Sequence, residues 1–194
     1  MRLISNRLVL AIDEPLFNYE FYLIASDEVN AFTIPGGRIF VFSGLLNEAD
    51  NPEEVAAVLA HEIGHAIQFT RDEPVSRLRR KYMGRAVAIK KLGFTVLACA
   101  PVGAVVAKTP LVMGLFIGAA VATMLASALM YAAILPEEYD ASFNKALPIL
   151  EQGNYLHPND LPAAREVLRA AALTYVSAAL SSLLNLAQWI RILR

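Results

Sequence analysis

The sequence contains little charge and almost no cysteine. Only 18% of its 194 residues are charged and 56% are hydrophobic, whereas about a quarter of the residues in a soluble domain are charged. The single cysteine, Cys99, excludes an intrachain disulfide and any metal site that needs a pair of cysteines. The formal net charge of -1 predicts no nucleic-acid partner. This composition argues against a simple cytosolic globule.

The low charge content comes mainly from one part of the chain. Within 92–136, Lys108 is the only charged residue. The 25 residues 111–135 form an unbroken uncharged run, which is longer than the roughly 20 residues that cross a bilayer as a helix. A shorter apolar run, 92–107, precedes it. Because only a short linker joins the two runs, they can only be antiparallel neighbours. We therefore expect 92–135 to form a transmembrane helical hairpin.

The basic residues predict how this hairpin is oriented. Eight of the seventeen lysines and arginines lie within 71–91, immediately before the hairpin. Both outer ends of a hairpin return to the same side of the bilayer, and the connecting turn carries one lysine. The positive-inside rule therefore places both flanks in the cytoplasm, in a multi-pass protein of the cell (inner) membrane. The apolar stretch before Asp13 has only five residues, too few for a signal peptide.

The chain is expected to form a single membrane-embedded domain, 1–194, with a mainly helical α+β fold. Its parts are, in order, edge strands with a long helix, the hairpin, a further helix with a loop, and a candidate third transmembrane helix: 1–85, 92–135, 136–169 and 170–190. Within the third part, 136–150 is expected to form one helix and 161–169 to begin another. The fourth part is uncharged and long enough to span a bilayer. Its Asn185 and Gln188 favour the alternative, in which it packs against the domain.

The segment before the hairpin contains strand and helix signals. Residues 21–24 and 38–43 are rich in β-branched and aromatic side chains, as strands are. A Pro-Gly-Gly turn at 35–37 lies between them. An Asn-Pro pair at 51–52 begins a helix, and apolar residues follow at helical spacing. The pentapeptide HEIGH, 61–65, therefore lies well inside a helix.

Two of the chain's three histidines lie four residues apart around a glutamate. His61 and His65 are about 40° apart in helical projection, so both imidazoles can reach one metal ion. Glu62 is rotated to the flank, where its carboxylate can hold a water without being an obligatory ligand. This is the zincin arrangement, and a chance pair of solvated histidines is the weaker interpretation. The pattern predicts a catalytic zinc site.

A catalytic zinc needs a third protein ligand and an open position for water. Glu138 is the strongest candidate, because it follows the hairpin directly. The small residues at 141–142 would let its helix pack closely against Gly64 of the histidine helix. Glu137 and His157 are the alternatives.

Three ordered motifs extend this prediction to a known family. The strings NAFTIPGGRIFVFSGLL, VAAVLAHEIGHAIQ and EYDAS resemble, in that order, motifs of the membrane-bound gluzincin metallopeptidases of the HtpX and CaaX prenyl protease type. The second half is similar to the YugP-type membrane zinc metallopeptidases, in LPEEYDASFNKAL and AAREVLRAAALTYVSAAL. Together the similarities cover most of the chain from Asn30 to Leu180.

The resemblance implies a zincin-like catalytic domain and roles for its residues. His61, His65 and Glu138 would hold one Zn²⁺ ion per chain, and Glu62 would be the general base. The segment 34–44 would be the edge strand beside the active-site helix and would bind an extended substrate as an added strand. The substrate-binding residues would be Asn30, Ala31, Phe32, Pro35, Gly36 and Gly37.

One position departs from the HtpX-like pattern. That pattern ends in an aspartate that hydrogen-bonds a zinc histidine, where this chain has Ser142. Asp140 lies two residues earlier, as in the YugP-like pattern, and on an α-helix it points away from the face of Glu138. Ser142 and Asp140 are therefore the candidates for supporting the zinc ligands, and we expect no direct contact from Asp140.

The resulting hypothesis is a membrane-bound zinc metalloendopeptidase that faces the cytoplasm and acts in membrane protein quality control. Its partners would be protein or peptide substrates and the lipid bilayer. The alternative is a non-catalytic zinc-containing membrane factor that holds a protein segment on its edge strand. Such a factor has no reason to retain Glu62 beside two metal ligands, so this residue favours the enzyme.

Overall fold

The computed structural model describes residues 1–12, 15–16, 18–107, 109–153, 156–157 and 159–192. Most of these residues are helical, and one small sheet lies near the N-terminus. The chain divides into two compact units. The first comprises Met1–Arg77 and Pro136–Leu173, and the second comprises Leu78–Leu135 and Thr174–Arg194. The predicted α+β architecture, mainly α, is confirmed.

The first unit contains a sheet of three strands: β1 (Glu20–Ile24), β2 (Ala31–Ile34) and β3 (Arg38–Phe42). The central strand β3 pairs in parallel with β1 and antiparallel with β2. In the turn between β2 and β3, Gly36 and Gly37 have φ angles of 97° and 76°, which glycine adopts without steric cost. The two predicted strands and the turn are confirmed.

The edge strand differs from the prediction. The resemblance placed it at 34–44, but β3 is the central strand and β2 lies at the edge. The reason is a parallel pairing in which Glu20 lies opposite Arg38 and Ile24 opposite Phe42. This pairing covers the side of β3 that a hairpin alone would leave open. Two strands, β1 and β2, therefore have an outer side that faces no other strand of this sheet, and β2 is the one that forms a hairpin with β3.

Helix α3 (Pro52–Thr70) carries the HEIGH sequence, as predicted. The Asn51 side chain accepts a hydrogen bond from the backbone N–H of Glu54 at 2.9 Å, and such a cap is worth about 1 kcal/mol. The patterns analysed above predict neither of the two shorter helices before it, α1 (Arg2–Leu10) and α2 (Ser43–Glu48).

One apolar cluster joins α3 to the sheet. Ile39 and Val41 of β3 are fully buried, and so are Leu59 and Ile63 of α3. Burying side chains of this size stabilises the fold by about 1.5–3 kcal/mol each. The HEIGH helix is therefore held by the core of the first unit.

A widened turn interrupts the segment that the sequence predicts as one helix over 136–150. The whole segment consists of α6, a π-helical turn and α7: Leu135–Tyr139, Asp140–Ala146 and Leu147–Gln152. The N–H of Leu147 donates to the carbonyl of Ser142, five residues earlier. Pro148 follows; it has no N–H, and its ring would collide with the carbonyl four residues before it in a regular α-helix.

The second unit contains the predicted hairpin segment. It includes most of α4 (Pro74–Ala107) and all of α5 (Pro110–Ala132). Within the described residues, two helical stretches are long and apolar enough to cross a membrane, Pro74–Gly103 and Leu111–Gln152. Lys108, in the predicted turn, lies outside the described residues.

Helix α8 (Leu161–Ile192) continues from the predicted helix at 161–169 through the third apolar run without interruption. The side chains at 178, 179 and 182–192 lie outside the described part of the chain. Whether 170–190 crosses the bilayer therefore stays a prediction.

Candidate metal centre

Helix α3 places two histidines side by side in the interior of the first unit. His61 and His65 are both buried. Their ring centroids are 4.6 Å apart, and one ring meets the other edge-on. This closeness follows from the spacing of four residues, which puts side chains on the same helical face. Two imidazoles in one buried site can serve as ligands of a single metal ion.

Glu138 of α6 meets both histidines. Its Oε2 lies 3.4 Å from Nε2 of His61 and 3.2 Å from Nε2 of His65. One ligand atom from each of the three residues lies within 4.8 Å of the others, and all three residues are buried. The alternatives do not join this group: Glu137 is buried outside it, and His157 is exposed in a loop.

Close backbone contact brings the two segments together. A Cβ atom added at Gly64 would lie 2.7 Å from the carbonyl oxygen of Ala141 and 3.1 Å from its Cα. Any side chain at this position would collide with backbone, which cannot easily move away. Gly64 therefore provides the space that the sequence pattern predicts opposite the small residues at 141–142.

A hydroxyl group fixes the tautomer of His61. Ser142 Oγ lies 3.0 Å from Nδ1 of His61 and donates its own proton to the carbonyl of Leu168 at 3.0 Å. Since the serine proton is used there, its oxygen accepts the proton on Nδ1. The Nε2 lone pair of His61 then faces Glu138. Ser142 thus contacts a histidine of the metal group directly.

The side-chain amide of Gln68 fixes the tautomer of His65. Gln68 Nε2 donates to Asp140 Oδ2 at 2.8 Å and to the carbonyl of Glu137 at 2.9 Å. Gln68 Oε1 therefore faces Nδ1 of His65, at 2.9 Å, and accepts its proton. Asp140 supports His65 through this amide and not directly. Gln68 is not among the predicted site residues; its position three residues after His65, on the same helical face, is the signal that points to it.

The carboxyl group of Asp140 is kept ionised and can only accept hydrogen bonds. Burial raises its pKa, but hydrogen bonds from Lys145, Gln68 and Asn144 lower it by more, so the pKa lies below its ordinary value. An ionised carboxylate has no proton to donate. It can therefore face only the NH₂ end of the Gln68 amide.

The three donors fit a zinc ion. With both histidine protons on Nδ1, two imidazole lone pairs and one carboxylate oxygen point at a common centre. Zinc bonds of about 2.0–2.1 Å in a tetrahedral site place ligand atoms about 3.3 Å apart. The distances of 3.2 and 3.4 Å from Glu138 Oε2 match this spacing. Three protein ligands is also the number found in catalytic zinc sites.

Glu62 and strand β2 lie next to each other. Glu62 follows His61 on α3 and is buried. Its backbone carbonyl accepts a hydrogen bond from the Thr33 hydroxyl at 2.9 Å. Thr33 belongs to β2, so this bond ties the edge strand to the residue beside the metal group.

The predicted substrate-binding residues lie on β2 and its turn. Phe32 is exposed and stacks on Phe40 of β3, with ring centroids 5.0 Å apart. The Asn30 carbonyl accepts from the N–H of Phe42 at 3.1 Å. Ala31 is half-buried, Gly37 is buried, and two turn residues are exposed: Pro35 and Gly36.

Known proteins are similar to parts of this chain. A model of the family described as "Putative neutral zinc metallopeptidase" matches residues 49–194. The chain is 42% identical to the β-barrel assembly-enhancing protease of Yersinia pestis over 65 residues, 34% of this chain and 13% of that protein. It is 46% identical to the mitochondrial metalloendopeptidase OMA1 of Arabidopsis thaliana over 50 residues, 26% of this chain and 10% of that protein.

A fungal relative is similar over a segment of comparable length. The mitochondrial metalloendopeptidase OMA1 of Schizosaccharomyces pombe is 43% identical over 64 residues, 33% of this chain and 19% of that protein. The matching segments are thus short parts of longer relatives. The likeness to the HtpX, CaaX prenyl protease and YugP types stays a prediction from the motifs. The family match spans most of the chain, and the chain therefore belongs to this family of zinc metallopeptidases, which are hydrolases.

Proposed function

We propose that His61, His65 and Glu138 hold one zinc ion per chain and that the protein is a membrane-bound endopeptidase. The observation that carries this proposal is that the buried Glu138 Oε2 lies 3.2 and 3.4 Å from Nε2 of the two buried histidines. Without a cation, three lone pairs would face one another in the interior at an electrostatic cost. A divalent metal ion turns this repulsion into binding.

Glu62 is the general base of the proposed reaction. Zinc, when bound, makes water more acidic and polarises the carbonyl group that is attacked. The Glu62 carboxylate takes the proton from the attacking water and then passes it to the nitrogen of the leaving amine. The position of Glu62 on α3, one residue after His61, supports this role.

Strand β2 holds the substrate. An extended peptide would pair with its outer edge and continue the sheet. The bond from Thr33 to the Glu62 carbonyl supports this assignment, because it keeps β2 beside the proposed base. Asn30, Ala31 and Phe32 would contact the added strand, and the turn 35–37 would border it.

The protein acts at a membrane, with its metal centre on the cytoplasmic side. Support comes from two helical stretches long and apolar enough to span, and from the basic cluster at 71–91. The proposed architecture is a zincin-like domain whose sequence is interrupted by a membrane hairpin. One relative is a β-barrel assembly-enhancing protease, and this similarity supports a role in membrane protein quality control.

Metal analysis tests the ligand set. The purified protein should contain about one zinc per chain, and His61→Ala, His65→Ala and Glu138→Gln should each lose it. His157→Ala and Glu151→Gln are matched controls, because both residues are exposed and lie outside the group of donors. A wild-type protein without zinc, or controls that lose it equally, would contradict the assignment.

Peptide hydrolysis in detergent tests the base. Glu62→Gln should retain zinc and lose activity by about 10²–10⁴-fold, the usual contribution of a general base. Circular dichroism should show an unchanged helix content. Equal activity of this variant would remove Glu62 from the mechanism, and a wild type that binds zinc without any hydrolysis would favour the non-catalytic factor.

A further inference from the structure

Gln68 is a fully buried amide whose role the proposed reaction does not explain. It lies on α3 and has no exposed surface. All three of its side-chain hydrogen bonds are made inside the first unit, with His65 Nδ1, the Glu137 carbonyl and Asp140 Oδ2. A buried amide with partners at both ends has a single favourable orientation.

We propose that Gln68 is the positioning residue of His65 and that Asp140 fixes the orientation of its amide. This inference rests on the proposed zinc function. The amide oxygen keeps the His65 proton on Nδ1, so the Nε2 lone pair stays available for the metal. Partners of this kind typically change metal affinity by about 10–100-fold when they are removed.

The surroundings of Asp140 prevent the Gln68 amide from turning over. Lys145 Nζ donates to Asp140 and, at 2.9 Å, to Glu73 Oε2. Asn144 Nδ2 donates to Asp140 Oδ1 at 2.8 Å. If the amide were reversed, its oxygen would face the carboxylate and the Glu137 carbonyl, both of which are acceptors. The reversed state would also present an N–H to His65 Nδ1 and would favour the wrong tautomer.

The two histidines are held in different ways. Ser142, the partner of His61, can rotate its hydroxyl, so its hydrogen-bond direction depends on the Leu168 carbonyl alone. Gln68 cannot change its direction without breaking two donor contacts. We therefore expect the His65 side of the centre to depend more strongly on its supporting residue.

Zinc release to a chelator tests the proposal. Gln68→Leu keeps the volume but loses the acceptor and both donors, and it should release zinc at least tenfold faster than the wild type. Gln68→Glu keeps an acceptor for His65 but places a second carboxylate against Asp140, and it should also release zinc faster. Adding Asp140→Asn to Gln68→Glu restores a donor between the two positions, so the double variant should release zinc more slowly than Gln68→Glu alone.

The absorption spectrum of the cobalt-substituted protein gives a second readout, because its visible bands report the ligand geometry. Gln68→Leu should shift these bands while far-ultraviolet circular dichroism stays unchanged. If Gln68→Leu does not fold, the comparison of Gln68→Glu with the double variant decides the question. Gln152→Leu is the control for glutamine replacement, because Gln152 is exposed on α7.

The outcomes separate this inference from the proposed function. A wild-type protein that binds no zinc would overturn both. A wild type that binds zinc, together with a Gln68→Leu variant of unchanged release rate and unchanged cobalt spectrum, would overturn the positioning role alone. A double variant that releases zinc as fast as Gln68→Glu would show that Asp140 does not orient the amide.

Discussion

The two compact units of the chain place their polar side chains in opposite ways. Among its described residues, the first unit buries nine that are polar or charged: Ser5, His61, Glu62, His65, Gln68, Ser76, Glu137, Glu138 and Ser142. Among the described residues of the second unit, Ser127 is the only buried polar one, and its hydroxyl donates to the carbonyl of Met124 in the same helix. The second unit exposes large apolar side chains along both hairpin helices, among them Leu92, Val105, Leu115, Leu125 and Leu129.

This difference fits the proposal that the two units meet different environments. In the first unit, buried polar groups contact one another, and three potential metal ligands lie close together. In the second, exposed apolar side chains are what a helix needs where it faces lipid. Equivalent substitutions in the two units should therefore have different effects, which matched pairs of variants can measure.

The largest effect is expected from a charge in the hairpin. Leu125→Lys places an ammonium on an exposed apolar position near the middle of 111–135, and a lysine at the centre of a spanning helix costs about 2.5–3.5 kcal/mol. Leu3→Lys, at an 83% exposed position of α1, should change stability by less than about 0.5 kcal/mol. Carbonate extraction and protease protection measure the inserted fraction. Identical insertion of both variants would argue against a hairpin in lipid.

The next effect comes from two glycines. Gly64→Ala forces a methyl group against the Ala141 backbone, and such overpacking costs about 1–3 kcal/mol. Zinc content should fall with it, because α3 and the segment bearing Glu138 must separate. Gly84→Ala in α4 meets no atom within 4 Å and should raise helix stability by up to about 1 kcal/mol. Thermal unfolding and metal analysis should separate the two variants; similar melting temperatures would contradict the tight contact.

Two buried serines provide a smaller contrast. Ser142→Ala removes the acceptor of His61 Nδ1 and should weaken zinc binding about tenfold. Ser127→Ala removes a hydroxyl that bonds only its own helix and should leave zinc binding unchanged. Competition with a chelator measures both affinities. Equal zinc affinities of the two variants would show that the contact of Ser142 does not orient His61.

The smallest effect is expected from two threonines. Thr33→Val removes the bond between β2 and the Glu62 carbonyl, a loss of about 0.5–1.5 kcal/mol. We expect a higher KM for peptide substrates with zinc retained, since β2 would no longer be tied to the base. Thr95→Val removes a bond to Lys91 within one exposed helical turn and should leave KM unchanged. A KM unaffected by Thr33→Val would count against substrate binding on β2.

Local signals predicted α3 well. The Asn51 cap, Pro52 and the apolar spacing after them are read from neighbouring residues, and the helix begins where they indicate. The close packing at Gly64 was also predictable, because small residues at 141–142 stand in the sequence as its match. The π-helical turn was not predictable in this way: a single-helix pattern hid a segment with five-residue hydrogen bonds.

The supporting residues were predicted in part. Ser142 came from the resemblance, and it contacts His61. Gln68 was missed, because its spacing from His65 indicates only a possible contact, and the partners that orient its amide are known only from the structure. Two of those partners come from the segment after the hairpin, about 70 residues later. The role of Glu138 as a zinc ligand stays a prediction, although the structure places it against both histidines.

The sequence by itself determined the helix of HEIGH, the apolar hairpin and the small set of residues able to bind a metal, because periodicity, capping and ligand spacing are local properties. Only the tertiary structure decided which strands form the edges, which of Glu137, Glu138 and His157 meets the histidines, and which amide contacts His65. Those answers depend on backbones that approach each other from distant parts of the chain. Pairing of β1 with β3 decided the first of them, and the contacts of Glu138 and Asp140 with side chains of α3 decided the others.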